Sequence, residues 1–314
     1  MKFPYKTKQF WTLAIKFLIV SLSFIVIYKF IQEVPNSHWQ LIYNSSQLFI
    51  LLGIGGFFSL LNWLLEGYKW KILVDTISQI SGIEALSESL KAHAVSIITP
   101  NKIGEFGAKA SFYKASLRKQ ILKLTLTGQV YQLTATVLFG ALGISVMFSE
   151  FSAELQITLV MVLGAMALGI LGLFWLNSRR RWIRQLQAYL KSLSRLSDSS
   201  HTQVLIWSVL RYGCFSHQFF VLLLLFQPEL NYLEIMPIIF SIYLITSMFP
   251  TILILDASLK AGVSLVLLSA YLAPEYILVT SVLMWIFNFG IPAVIGNMLL
   301  LKWSRLAWLL NSKL

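Results

Sequence analysis

Charge is what this sequence has least of. Only 12% of its 314 residues are charged, with just 13 Asp and Glu, whereas 57% are hydrophobic. Soluble domains carry roughly 25% charged residues, so a charged shell around a soluble core is excluded. Cysteine is nearly absent too. Cys214, the single one, lies in an apolar run, which removes disulfides and cysteine metal sites and leaves a small packing residue. No glycine-rich phosphate loop with its lysine, nucleophile elbow or His-Glu-x-x-His is present. Those absences exclude an ATP-driven pump with its own nucleotide domain, though not a membrane-embedded enzyme. His93 and His217 stand isolated without metal-ligand spacing, so no metal or cofactor is expected.

Long apolar runs are what the chain does have. Six reach the length of about 20 residues that a bilayer crossing needs: Phe10–Ile31, Gln47–Tyr68, Lys123–Phe148, Leu155–Leu176, Val204–Phe226 and Tyr276–Leu301. Lys16 lies inside the first and is expected to snorkel toward the headgroups. Lys2, Lys6 and Lys8 give the start the look of a signal peptide. The run is long and no small-x-small site follows, so it reads as an uncleaved anchor.

Lys and Arg number 25, for a net charge of +12. They gather in short loops, at Lys69 and Lys71, at Lys114–Lys123, at Arg179–Arg184 and in the tail at Lys302, Arg305 and Lys313. The intervening loops 32–42, 149–154 and 227–234 carry none. Basic loops stay cytoplasmic, which puts both termini in the cytoplasm of a bacterial inner-membrane protein. The charge therefore reads as topology and anionic-lipid contact, with no nucleic acid as partner.

Two apolar regions are interrupted. Ala85–Leu117 breaks at Thr99-Pro100-Asn101-Lys102-Ile103-Gly104, and Ile235–Tyr271 breaks after Met248-Phe249-Pro250. Proline removes a backbone donor and pushes its predecessor out of helical geometry, so each region predicts two half-helices, with Pro100, Gly104 and Pro250 as the hinges. The first region is flanked by basic loops and the second by loops without Lys or Arg, so the hairpins enter from opposite faces. That is the mark of an inverted repeat. The expected fold is an all-α integral membrane protein, one membrane domain over 1–314. It has six spans and two re-entrant hairpins, with residues 47–148 mirrored by 204–301. Residues 178–203 read either as an amphipathic cytoplasmic linker, with Trp182, Leu186, Tyr189 and Leu193 on one face, or as an ordinary loop.

Both breaks carry an acid and then a lysine four residues on, Glu105/Lys109 and Asp256/Lys260. Such a pair contributes only about 0.2–0.5 kcal/mol in water, whereas one charge at mid-bilayer costs roughly 2.5–3.5 kcal/mol. The pairs must face each other, a hydrated cavity or a ligand, unless they lock helix ends at the interface. Asn101 beside the first proline joins them as a candidate contact. Gln129, Gln132 and Thr136 share a face of one span and Arg211 and Gln218 a face of another. Arg211 either snorkels or faces the cavity. Asn62, Glu66 and Asn288 read as helix-packing hydrogen bonds.

The segment Ser96–Ala110, with its proline, Ile103-Gly104-Glu105 and a basic residue four after the acid, resembles the flippase-like membrane region of lysylphosphatidylglycerol synthases, the multiple peptide resistance factors. Pro250, Asp256 and Lys260 resemble that family's second membrane motif, and Trp70-Lys71 its tryptophan–basic pattern. The resemblance covers the membrane region and leaves out the soluble synthase domain. Lysine stands at 109 and 260 where the family commonly has arginine, and glutamine at 129 and 132 where relatives often carry charge. The resemblance implies a flippase for membrane phospholipids, anionic or aminoacylated, with Lys109 and Lys260 contacting phosphate and Glu105 and Asp256 orienting them or receiving a cationic group. A homodimer is left open. The alternatives are a membrane-embedded transferase using Glu105 or Asp256 as general base, and a non-catalytic accessory protein.

Overall fold

A computed structural model describes residues 47–96, 99, 102–148, 197–249 and 253–311. The expected spans Phe10–Ile31 and Leu155–Leu176, linker residues 178–196, Pro100, Asn101 and Pro250 lie outside the described residues. All regular structure among the described residues is helical. The first half comprises α1 (Gln47–Val74), α2 (Gly82–Ser96), α3 (Ile103–Ser111) and α4 (Arg118–Met147). The second comprises α5 (Asp198–Phe226), α6 (Tyr232–Ser247), α7 (Leu253–Leu268) and α8 (Pro274–Trp285), which runs through a π-helical turn (Ile286–Gly290) into α9 (Ile291–Asn311).

Four stretches are long and apolar enough to cross a membrane: Phe49–Val74, Arg118–Met147, Asp198–Phe226 and Pro274–Leu301. They coincide with four of the six expected spans, and the chain is a helical membrane protein. Each outruns its apolar segment. The 28 residues of α1 rise about 42 Å, against a hydrocarbon core of about 30 Å. Likewise α5 begins at Asp198, capped by the Ser197 hydroxyl, which accepts from the Ser200 amide at 3.1 Å. Residues 198–203 thus extend a span instead of closing the linker.

Side-chain polarity in α1 is turned outside-in. Phe49 is 79% and Leu60 61% exposed, while Ser59, Asn62, Glu66 and Lys69, spaced along one helical face, are all under 10% exposed. In water this pattern would be untenable; in lipid it is what a bundle with a polar interior requires. Close helix contacts come from small residues. A Cβ at Gly143 of α4 would lie 2.4 Å from the Pro237 carbonyl oxygen of α6, and one at Gly296 of α9 would lie 2.1 Å from the Leu90 carbonyl oxygen of α2. The first half-helix of each interrupted pair is thereby pressed against the last span of the other half, and α1 packs against α5.

Both interruptions expected from the sequence are present, one between α2 and α3, the other between α6 and α7. At the first, the Thr99 hydroxyl donates back to the Ser96 carbonyl and accepts from the Gly104 amide at 2.9 Å. The chain turns at Lys102, whose φ of 56° is the left-handed region. Gly104 is inside α3, and its role is space: a Cβ there would stand 2.8 Å from both Thr99 Oγ1 and the Val95 carbonyl oxygen. The bend sits at the lysine and the glycine lets the two half-helices close on each other. The α2 N-terminus is held by a reciprocal cap, in which Ser81 N–H donates to Glu84 and Glu84 N–H to the Ser81 hydroxyl. The Ser81 backbone bond keeps the Glu84 carboxyl below its ordinary range.

Candidate functional site

The π-helical turn is the floor of the site. Widening the helix there leaves carbonyls for neighbours. Ser59 Oγ donates to the Phe287 carbonyl at 2.5 Å, Trp63 Nε1 to that of Asn288 at 3.3 Å, and the His93 Nε2 stands 3.1 Å from that of Phe289. The Asn288 amide gives a hydrogen to Gln218 at 2.8 Å and accepts one from Asn62 at 2.9 Å, while Gln218 donates to the Gly55 carbonyl. Asn62 and Asn288 are therefore the packing hydrogen bonds their sequence positions imply, tying α1 and α5 to the turn.

Above this floor lies a cavity of about 610 Å³. Its ionic lining is Glu66, Lys102, Glu105, Arg211, Asp256 and Lys260, with Gln129, Gln132 and Thr136 from α4. The remaining wall includes Trp63, Phe215, Phe219, Tyr243, Phe249 and Phe289. The two interruptions meet here. Lys102 from the first and Lys260 from the second stand over the same Phe289 ring, 5.7 and 4.7 Å from its centroid.

Of the expected site residues, Glu105, Gln129, Gln132, Arg211, Asp256 and Lys260 all line this cavity. Both acid–lysine pairs form: Lys109 with Glu105 at 2.9 Å and Lys260 with Asp256 at 2.6 Å. Lys109 does not line the cavity. It is 2% exposed, sits behind the wall between Glu105 and Glu66, and rests 4.2 Å from the Trp70 ring centroid. Its ammonium neutralises and positions Glu105, which also accepts from Gln129 at 2.9 Å. Arg211 faces the cavity. It bonds Asn62 at 2.9 Å and Gln132 at 3.3 Å, and pairs with Glu66 at 2.9 Å.

Sequence reasoning missed three residues. Glu66 is not a packing hydrogen bond but the hub of the ionic network, within 2.7 Å of Lys69, 2.9 Å of Arg211 and 3.8 Å of Lys109. The signal was legible, since an acid and a base one turn apart inside an apolar span each demand a buried partner. Lys69 reads in sequence as part of a basic loop, but the span continues past it and leaves it 3% exposed. Lys102 lies within the first break, and only the fold brings it to the cavity.

The buried hydroxyls of Ser89 and Ser281, both on the cavity wall, have no hydrogen-bond partner among the described residues. Outside the spans, Glu88 accepts from Trp70 Nε1 at 2.8 Å and from the Tyr113 hydroxyl at 2.7 Å. Burial first, and then that carboxylate, push the Tyr113 hydroxyl above its ordinary range. No group of three or more His, Cys, Asp or Glu among the described residues is placed to hold a metal ion. No family model matches the chain, and no curated protein matches it in sequence.

Proposed function

We propose that the chain is a flippase or related transporter that moves phospholipids or lipid-linked molecules between leaflets, with the cavity as the chamber for the headgroup. The observation that carries this reading is a 610 Å³ chamber whose charged groups come from both interrupted helix pairs. Charges inside a membrane bundle persist only where they meet partners, water or a polar ligand. Ionic groups and aromatic rings sharing one wall suit an amphiphile.

Alternating access needs two similar halves that rock around a fixed site, and the helix contacts support such a pair. Exchange α1 with α5, α2 with α6, α3 with α7 and α4 with the α8–α9 rod. The contact of α4 with α6 then becomes that of α9 with α2, and α1 with α5 maps onto itself. In this reading 47–148 and 204–301 are inverted repeats within a six-span protein of a bacterial inner membrane, both termini cytoplasmic. The resemblance to the membrane region of lysylphosphatidylglycerol synthases points the same way. A transferase using Glu105 or Asp256 as general base is disfavoured, because a lysine four residues on already holds each carboxylate.

The test is reconstitution into vesicles with fluorescent phospholipids and a membrane-impermeant quencher. Leaflet exchange above that of empty vesicles is expected, and it falls when Arg211 is replaced by alanine. Absence of exchange for every lipid tried removes the transport reading.

A further inference from the structure

The groups that line the cavity balance, three carboxylates against three cations, but the ionic network they belong to does not. Its three carboxylates are all taken by protein cations, Glu66 by Lys69 and Arg211, Glu105 by Lys109, and Asp256 by Lys260. With Lys69 and Lys109 behind the wall and Lys102 within it, that network sets five cations against three carboxylates, a surplus of two positive charges. Lys102 has no ion pair within 4 Å among the described residues, and its backbone is held in the left-handed region that side chains rarely adopt. Such conformations persist where the surroundings over-determine them, and they concentrate at functional sites.

We infer that the headgroup taken by this cavity carries net negative charge on a phosphate, that cationic aminoacylated headgroups are rejected, and that Lys102 is the selecting residue. The inference rests on the transport reading for its lipid, but on the charge inventory alone for its sign. An incoming amine finds no vacant carboxylate and adds like charge to a site already in surplus. A phosphate finds Lys102, a point charge suited to it, beside Lys260 on the shared ring, with unpartnered serine hydroxyls in the same wall. This selection is opposite in sign to the aminoacylated lipid that the family resemblance admits.

Exchange rates of labelled phosphatidylglycerol, phosphatidylcholine and lysyl-phosphatidylglycerol are compared in vesicles holding the wild type, Lys102→Met or Lys102→Arg. Phosphatidylglycerol is expected to move roughly tenfold faster than the lysylated lipid, with Lys102→Met compressing the ratio to about twofold and Lys102→Arg retaining it. Equal rates for the three lipids, or faster movement of the lysylated one, overturn charge selection while leaving transport standing. A ratio unchanged in Lys102→Met overturns the assignment to Lys102.

A second measurement is independent of transport. Detergent-purified protein is titrated with inorganic phosphate and with glycerol phosphate, followed by tryptophan fluorescence, since Trp63 and Trp285 line the cavity. Saturable quenching that Lys102→Met weakens supports the anion site. If no lipid exchanges yet this quenching persists, the anion site stands with free phosphate as its source. Absence of quenching together with absence of exchange overturns the inference altogether.

Discussion

Replacing Glu66 by glutamine keeps the shape of the side chain and removes the charge that three cations share. The contacts indicate where the cost falls. Arg211 retains Asn62 at 2.9 Å and Gln132 at 3.3 Å, and Lys109 retains Glu105 at 2.9 Å. Lys69 is left with Gln132 alone, at 3.5 Å, while only 3% exposed. Removing one partner of a buried ion pair costs about 3–5 kcal/mol. The fallback contacts of the other two cations place Glu66→Gln near the lower end, about 3 kcal/mol. Neutralising Lys69 as well removes the stranded charge, so the double variant Glu66→Gln/Lys69→Gln should return to within about 1 kcal/mol of wild type. The assay is reversible unfolding in mixed micelles with increasing SDS, followed by tryptophan fluorescence and helical circular dichroism. A single variant within about 0.5 kcal/mol of wild type, or a double variant no more stable than the single, would refute the hub.

Three further outcomes follow from other contacts. Gly296→Leu drives a side chain into the Leu90 carbonyl, 2.1 Å from the position of its Cβ; overpacking of this kind costs about 1–3 kcal/mol and should appear as a lowered unfolding midpoint in the same micelles. Lys102→Gly relieves a left-handed residue worth roughly 1–2 kcal/mol, so this variant should be more resistant to unfolding while its preference for phosphatidylglycerol falls as in Lys102→Met; a lowered unfolding midpoint would argue against backbone strain at that turn. Cys214 is buried and its thiol lies 3.2 Å from the Phe58 carbonyl. A membrane-permeant maleimide should therefore label it slowly in the folded protein and fully after SDS unfolding, as read by mass spectrometry.

Much of the bundle was legible because a bilayer imposes simple demands. Gln47–Tyr68, Lys123–Phe148, Val204–Phe226 and Tyr276–Leu301 had to be helices, since apolar runs of that length can satisfy their backbones in lipid in no other local way. Their true ends were not legible. Lys69 and residues 198–203 look like loop by composition, yet helix continues through them because hydrogen bonding does not stop where hydrophobicity does. The interruptions followed from Pro100 and Pro250, and the acid–lysine pairs from their i,i+4 spacing, which is a property of any helix.

What the chain alone determined is thus local: which stretches are apolar, where helices break, and which lysine can reach which acid along one helix. The tertiary structure decided how these meet. Only packing could bring Arg211 of α5 and Lys109 of α3 to the carboxylate of Glu66, which Lys69 already reaches one turn along α1, send Lys109 behind the wall while Lys260 lines it, and bring Lys102 to the same ring as Lys260. Ion pairing between helices depends on distances set by small-residue contacts such as Gly143 and Gly296. Those are fixed by which helix faces which, and no spacing along the chain encodes that.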